Sequence, residues 1–354
     1  MFIPARLRLG TAIAAAALSL PACGSDSDND KLETDAEYEQ NAIIDVKVFI
    51  QGNLDEFAAA TAALQAAAPE PDEDGWSAAT DKAAVDAMKA EWKKARQSYE
   101  HVEGAIAVIF PDLDHSTDNR YDAFIEIEAD DNLFDDEVVT GVHAVERILW
   151  ADEIPEPVLA FESALTNYAP AAFPASEAEA AAFKGELCAR LAADAKKMQT
   201  DFEALALDAP SAYRGVIGSI LEQVEKIGKA ATGEEESRYA QYTLSDMRAN
   251  VAAGEETYRA FQPWILTKAE GPEVDKEVLA GFSRLTSAYD AIEGDALPPV
   301  PDDWSDETPT AEQLATPFGE LYTLVQRESD DATPGALAYE MTRSADLLGI
   351  AALP

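Results

Sequence analysis

The chain has 354 residues, 47% of them hydrophobic, which is enough for a large core in one big domain or two fused bundles. Its 68 acidic residues against 26 basic ones give a formal net charge of −42. Such a surface repels nucleic acid and anionic lipid and attracts cations, although adaptation to salty surroundings accounts for it equally well.

Residues 1–22 carry Arg6 and Arg8, then an apolar run, and lead into Leu20-Pro21-Ala22-Cys23. This reads as a secretory signal with a small residue before its cleavage point. The ending resembles a bacterial lipobox, in which Cys23 becomes the first mature residue and carries the lipid. The protein is then exported and anchored without spanning the membrane. Cys188 is left alone, so no intramolecular disulfide is expected. Residues 23–37 are polar, acidic and without apolar periodicity, as in a solvated tether. From Tyr38 onward the apolar spacing is helical over 38–67, 78–109, 135–150, 177–206, 211–230, 235–261, 273–293, 310–328 and 333–349, and no alternating strand pattern is present. Breaks fall at Pro69, Pro71, Pro111, Pro155, Pro157, Pro210 and Pro272, and in the proline-bearing loop 298–309. The fold class predicted is all-α, with residues 38–354 forming two bundles of about 38–205 and 206–354. No later stretch approaches the ~20 unbroken apolar residues of a transmembrane helix.

Two helical segments carry residues suited to chemistry. In 78–109 the apolar stripe is Trp92, Ala95, Tyr99, Val102, Ile106 and Ile109, and Glu100 and Glu103 fall together on one flank. In 135–150 the stripe is Val138, Val142, Val145 and Leu149, with Glu146, Trp150 and His143 along one flank. His143 and Glu146 are three residues apart and therefore neighbours, the mirror of the Glu-x-x-His unit that bundles use to hold metals. Facing each other, the two flanks would supply three carboxylates and an imidazole, which suit Fe, Mn or Zn rather than Cu(I). The structural alternatives are a boundary histidine paired locally with Glu146, and an exposed Arg96–Glu100 pair at four-residue spacing. Between the segments lies the acidic stretch 112–120, read as a loop able to swing one more carboxylate over the helices. Counted as a calcium loop from Asp112, it has Thr117 where glycine is needed and Ala123 where glutamate belongs, so that reading is rejected. His101 points away from Glu103 and is expected at the surface; His115 is the candidate second imidazole. Zinc-protease signatures are absent, since Arg147 occupies the last position of the inverted form. There is no glycine-rich phosphate loop.

These segments resemble the imelysin-like family, most closely its EfeO/EfeM branch of iron-uptake components. The resemblance is carried by 92–103, by Phe110-Pro111-Asp112-Leu113-Asp114 through Asp118 and Arg120, by Gly141-x-His143-x-x-Glu146 with Trp150, and by Thr232-Gly233-Glu234-Glu235 through Asp246 to Val251. It implies two fused four-helix bundles and a metal site built from Glu100, Glu103, Asp118, His143 and Glu146, with Tyr99 and Trp150 as supporting or wall residues. A carboxylate from the 232–236 segment is also implied. Placement from its left end selects Glu234 and Glu235, from its right end Glu235 and Glu236, so Glu235 is the common choice. At Tyr239-Ala240-Gln241-Tyr242-Thr243-Leu244 the chain departs from the branch pattern Tyr-Ser-His-Thr-Asp-Leu, losing a His and an Asp. The cupredoxin domain at the front of some relatives has no room here, which implies the shorter EfeM-like form. The function implied is a lipid-anchored protein of the periplasm or cell envelope. It would bind iron (Fe2+ or Fe3+, with Zn as an alternative) and deliver it to the permease of an Efe-type system that also holds a haem peroxidase. The rivals are an imelysin-type metallopeptidase, which needs an open coordination position and a general base, and a polysaccharide-binding protein.

Overall fold

The computed structural model describes residues 33–77, 79–305 and 307–353; the expected leader, Cys23 and the tether as far as residue 32 lie outside the described residues. The first helix, α1 (Asp35–Ala67), starts inside the stretch read as tether, with Asp35 and Glu37 in its first turn. There they complement the positive end of the helix dipole. No strand occurs among the described residues, so the chain is all-α as the periodicity predicts.

The predicted helix 78–109 is two helices, α2 (Lys82–Glu100) and α3 (Glu103–Ile109), because Val102 leaves the helical region at φ −124°. The bend brings Gly104 against Gly215 and Ser219; a Cβ at Gly104 would lie 2.7 Å from the Gly215 carbonyl oxygen and collide with the Ser219 hydroxyl. The stretch read as a loop is a helix, α4 (Pro111–Asp118), with proline at N1 and Asp112 and Asp114 in the first turn. Each of these is a helix-starting feature. A short α5 (Tyr121–Ile125) follows.

The segment 135–150 is helical only as α6 (Gly141–Leu149). Val138 therefore does not extend the α6 stripe, since its φ is +47°. Gly141 has φ +91°, and a Cβ there would stand 2.4 Å from the Thr117 carbonyl oxygen. Only glycine permits this approach, which seats the start of α6 on the end of α4 and brings His143 beside Asp118.

The remaining helices are α7 (Glu156–Glu162), α8 (Glu177–Ala182), α9 (Cys188–Ala204), α10 (Ala209–Lys229), α11 (Thr243–Ile265), α12 (Gly271–Asp290), α13 (Ala311–Leu314), α14 (Pro317–Glu328) and α15 (Leu337–Leu348). One wider π turn, Phe183–Leu187, joins α8 to α9. Helix α1 packs on α2, α9 and α11, whereas α10 packs on α3, α11, α14 and α15. Trp92, Tyr99, Val142, Val145 and Leu149 are all buried, and the Trp92 indole donates to the Val142 carbonyl at 2.9 Å, locking α2 to α6. No helix among the described residues is long and apolar enough to cross a membrane.

Candidate metal centre

The ends of α2 and α4, the start of α3, α6, the last turns of α10, the turn 234–242 and the start of α11 meet around one buried set of charges. Glu100 closes α2 and Glu103 opens α3, so the bend turns both side chains toward α10. Lys226 of α10 reaches Glu100 Oε2 at 3.3 Å, Glu103 Oε2 at 3.2 Å and Glu236 Oε2 at 3.3 Å. Arg96, fully buried one turn before Glu100, pairs with Glu100 and Asp118 and lies 3.3 Å from both Glu236 and Asp246. The Arg96–Glu100 pair anticipated on an exposed face is thus present, but buried at the centre of a network. Asn250 of α11 donates to Glu100 Oε2 at 2.7 Å and Glu103 Oε2 at 3.1 Å, and Gln223 holds Asn250 in turn.

His143 is fully buried. Its Nδ1 is 2.7 Å from Glu146 Oε2, and the other oxygen of Glu146 accepts the backbone N–H groups of Tyr239 and Ala240 at 2.9 and 2.8 Å. A carboxylate cannot donate, so Nδ1 carries the proton and Nε2 presents a lone pair. That Nε2 has no hydrogen-bond partner; the nearest acids are Asp118 Oδ1 and Glu236 Oε1, each at 3.6 Å. Ligand atoms about 2.1 Å from a tetrahedral metal stand about 3.4 Å apart. One ligand atom from each of His143, Asp118 and Glu236 lies within 4.8 Å of the others, close enough to converge on one cation, and Arg96 contacts the same Asp118 and Glu236 oxygens. A second, overlapping set of carboxylates, Glu100, Glu103, Asp118 and Glu236, also converges closely enough to share an ion. A cavity of about 210 Å³ lined by Glu103, Asp114, Asp118, Arg120, Glu222 and Glu236 opens onto both sets.

Burial dominates the proton affinities. It pushes Asp118 up to about 7 against the opposing pull of Arg96 and His143, and raises Asp114 to about 6. Glu100 is held well above the usual carboxylate range by burial, despite Arg96. Burial also opposes ionisation of Glu236, but Lys226, His143 and Arg96 outweigh it and hold this carboxyl well below that range. For His143, burial and Arg96 disfavour the charged ring, yet the carboxylates of Glu146 and Glu236 prevail and its pKa is raised.

Of the residues singled out in the sequence, Glu100, Glu103, Asp118 and His143 come together. Glu146 is spent on His143 and two backbone amides, which makes it the residue that orients the imidazole. Glu235 does not join: it accepts from Gln241 Nε2 at 2.6 Å, and its neighbour Glu236 takes the inward position. Tyr99 backs the site by donating to Asp114. Trp150 packs edge-on against Trp92 with Lys89 over its ring. His115 is exposed beside Asn119, and His101 is half-buried against Phe49 instead of lying free at the surface. The sequence does not mark Arg96, Lys226, Asp246 and Asn250 as site residues, and offers Glu236 only as an alternative beside Glu235. The available signal was polar residues at core spacing, with Gln223 and Lys226 among Ile220 and Ile227 in α10, and Asp246 and Asn250 among Met247 and Val251 in α11.

The family model named Imelysin (Peptidase_M75) matches residues 50–321. The chain is 28% identical over 214 residues to the iron uptake system component EfeO of Yersinia pseudotuberculosis, an alignment covering 58% of this chain and 47% of that protein. It is 27% identical over 201 residues to the component of the same name from Escherichia coli K12, covering 57% and 43%. The chain thus spans about half the length of the curated relatives it matches. Among solved structures, an imelysin-like protein from Psychrobacter arcticum superposes with a TM-score of 0.58 at 9% identity, covering 90% of this chain and 97% of that one, a likeness of fold.

Proposed function

Because the chain belongs to the imelysin family, we propose that it works outside the cytoplasm as a metal-binding protein that captures iron and hands it to an uptake permease. The observation that carries this reading is the buried imidazole of His143, its tautomer fixed and its free Nε2 facing two carboxylate oxygens at 3.6 Å. His143, Asp118 and Glu236 are the proposed core ligands, Glu100 and Glu103 complete the acidic side, and Glu146 aims the ring. Carboxylates with one imidazole suit Fe2+, Fe3+ or Zn2+. The names of the EfeO relatives, components of an iron uptake system, support iron as the cargo and the other components of such a system as partners. The signal-like stretch 1–22 followed by Cys23 supports a lipid anchor at the periplasmic or envelope face of a membrane.

Titration calorimetry of Fe2+ under anaerobic conditions, and of Zn2+, into wild type and His143→Ala tests the reading. The variant is expected to lose the site; unchanged affinity would remove it. The family's peptidase name keeps hydrolysis as the rival, which requires a base beside a metal-bound water. Unfolded polypeptides incubated with the metal-loaded protein, with and without chelator, separate the two: survival is expected, and chelator-sensitive cleavage would favour the peptidase.

A further inference from the structure

Lys226 is an unusual group to find where it is. Its side chain is 4% exposed, at the end of α10, and its ammonium sits in the all-carboxylate half of the metal centre, 3.2–3.3 Å from Glu100, Glu103 and Glu236. Those three acids belong to the set whose oxygens lie close enough together to share one ion. The ammonium therefore satisfies three of the four carboxylates that a cation bound by this set would engage. A divalent ion and an ammonium cannot share the same oxygens, because they repel at contact distance. Arg96 and Lys226 differ in what they can do about it. The guanidinium of Arg96 is planar, held by Glu100, Asp118, Glu236 and Asp246 at once, and fully enclosed. Lys226 is a compact charge on a flexible stem that lines the cavity, and Glu222, one turn back on α10, lines the same cavity and is exposed. An ammonium leaving the centre has a carboxylate to land on at four-residue spacing.

We infer that Lys226 is a tethered counter-cation of the empty centre, displaced toward Glu222 when metal loads and returning to expel it, so that it sets how tightly the centre holds its cargo. This rests on the metal-capture reading above. It gives a delivery protein what it requires, a site that binds and also lets go, because the return of Lys226 neutralises the acids that the departing ion leaves behind.

The test uses Zn2+ as a redox-inert probe on the purified full-length protein. Acylation of the Lys226 amine by an amine-directed reagent, read by mass spectrometry, should rise several-fold on saturation with zinc in wild type and stay unchanged in His143→Ala. Lys226→Gln should bind zinc about tenfold or more tightly than wild type, since a close charge opposing the ion is gone. It should also yield zinc to a chelator more slowly. Where loss of Lys226 loosens the metal-free fold, the zinc-induced rise in unfolding midpoint, larger than in wild type, reads the same quantity. Zinc bound through His143 with unaltered Lys226 labelling, or unchanged or weaker binding by Lys226→Gln, would overturn the inference and leave the metal centre standing. Failure of wild type to bind zinc, or equal binding by His143→Ala, would overturn the metal centre and this inference with it.

Discussion

Glu146→Gln is expected to disable the metal centre while the fold survives. Both Glu146 oxygens are committed: Oε1 accepts two backbone N–H groups, from Tyr239 and Ala240, and Oε2 faces His143 Nδ1 at 2.7 Å. An amide in this place must keep its oxygen toward the two amides, which forces its NH2 toward Nδ1. Nδ1 must then accept, and the ring proton moves to Nε2, the atom proposed to bind the metal. Loss of a partner that orients a ligating histidine costs about 10–100-fold in affinity, or roughly 1.4–2.7 kcal/mol, and reversal of the tautomer puts this variant at the upper end. The stability cost is smaller, about 1–2 kcal/mol, because the hydrogen bonds persist with a neutral acceptor in place of a charged one. Calorimetric titration with Zn2+ and Fe2+, paired with denaturant unfolding of the metal-free proteins, separates the two effects. Wild-type affinity in a folded Glu146→Gln protein would mean that Nε2 is not a ligand.

Four further outcomes are expected. Metal affinity should fall as pH drops below about 7, because Asp118 takes its proton there and His143, with its raised pKa, charges as well; a flat zinc affinity between pH 8 and pH 5.5 would contradict this. The sign for the metal-free fold is the reverse. Burial raises the Asp118 pKa above its unfolded value, so its stabilising contribution is present below about 4 and lost as pH rises through about 7, and Asp118→Asn should flatten that part of the stability profile. Arg96→Met strips the shared cation from Glu100, Asp118, Glu236 and Asp246 and is expected to cost about 3–5 kcal/mol in denaturant unfolding, the penalty for uncompensated buried charge. Gly104→Ala drives a methyl into the Gly215 backbone and should cost about 1–3 kcal/mol in denaturant unfolding.

Where helical periodicity was strong, the sequence was legible. The stripe Trp92, Ala95, Tyr99 identifies the buried face of α2, and the same wheel marks Glu100 and Glu103 as residues bordering it. What the pattern missed was set by contacts between distant elements. The bend at Val102 exists because Gly104 meets Gly215, more than a hundred residues away, and nothing local announces it. The acidic stretch after Pro111 looks like a loop by composition, yet a proline at N1 and acids in the first turn are how a short helix begins. The turn 234–242 has no period, so which of Glu234, Glu235 and Glu236 faces inward is decided by Arg96 and Lys226 arriving from other helices. Lys226 was the hardest to see, because a lysine near a helix end is ordinarily read as solvated.

The most direct measurement is anomalous X-ray scattering from crystals of the protein loaded with Fe or Zn. A peak is expected within about 2.0–2.3 Å of His143 Nε2 and of oxygens from Asp118 and Glu236, with the ammonium of Lys226 moved away. A saturating metal found elsewhere, with His143 still held by Glu146 and its Nε2 uncoordinated, would contradict it.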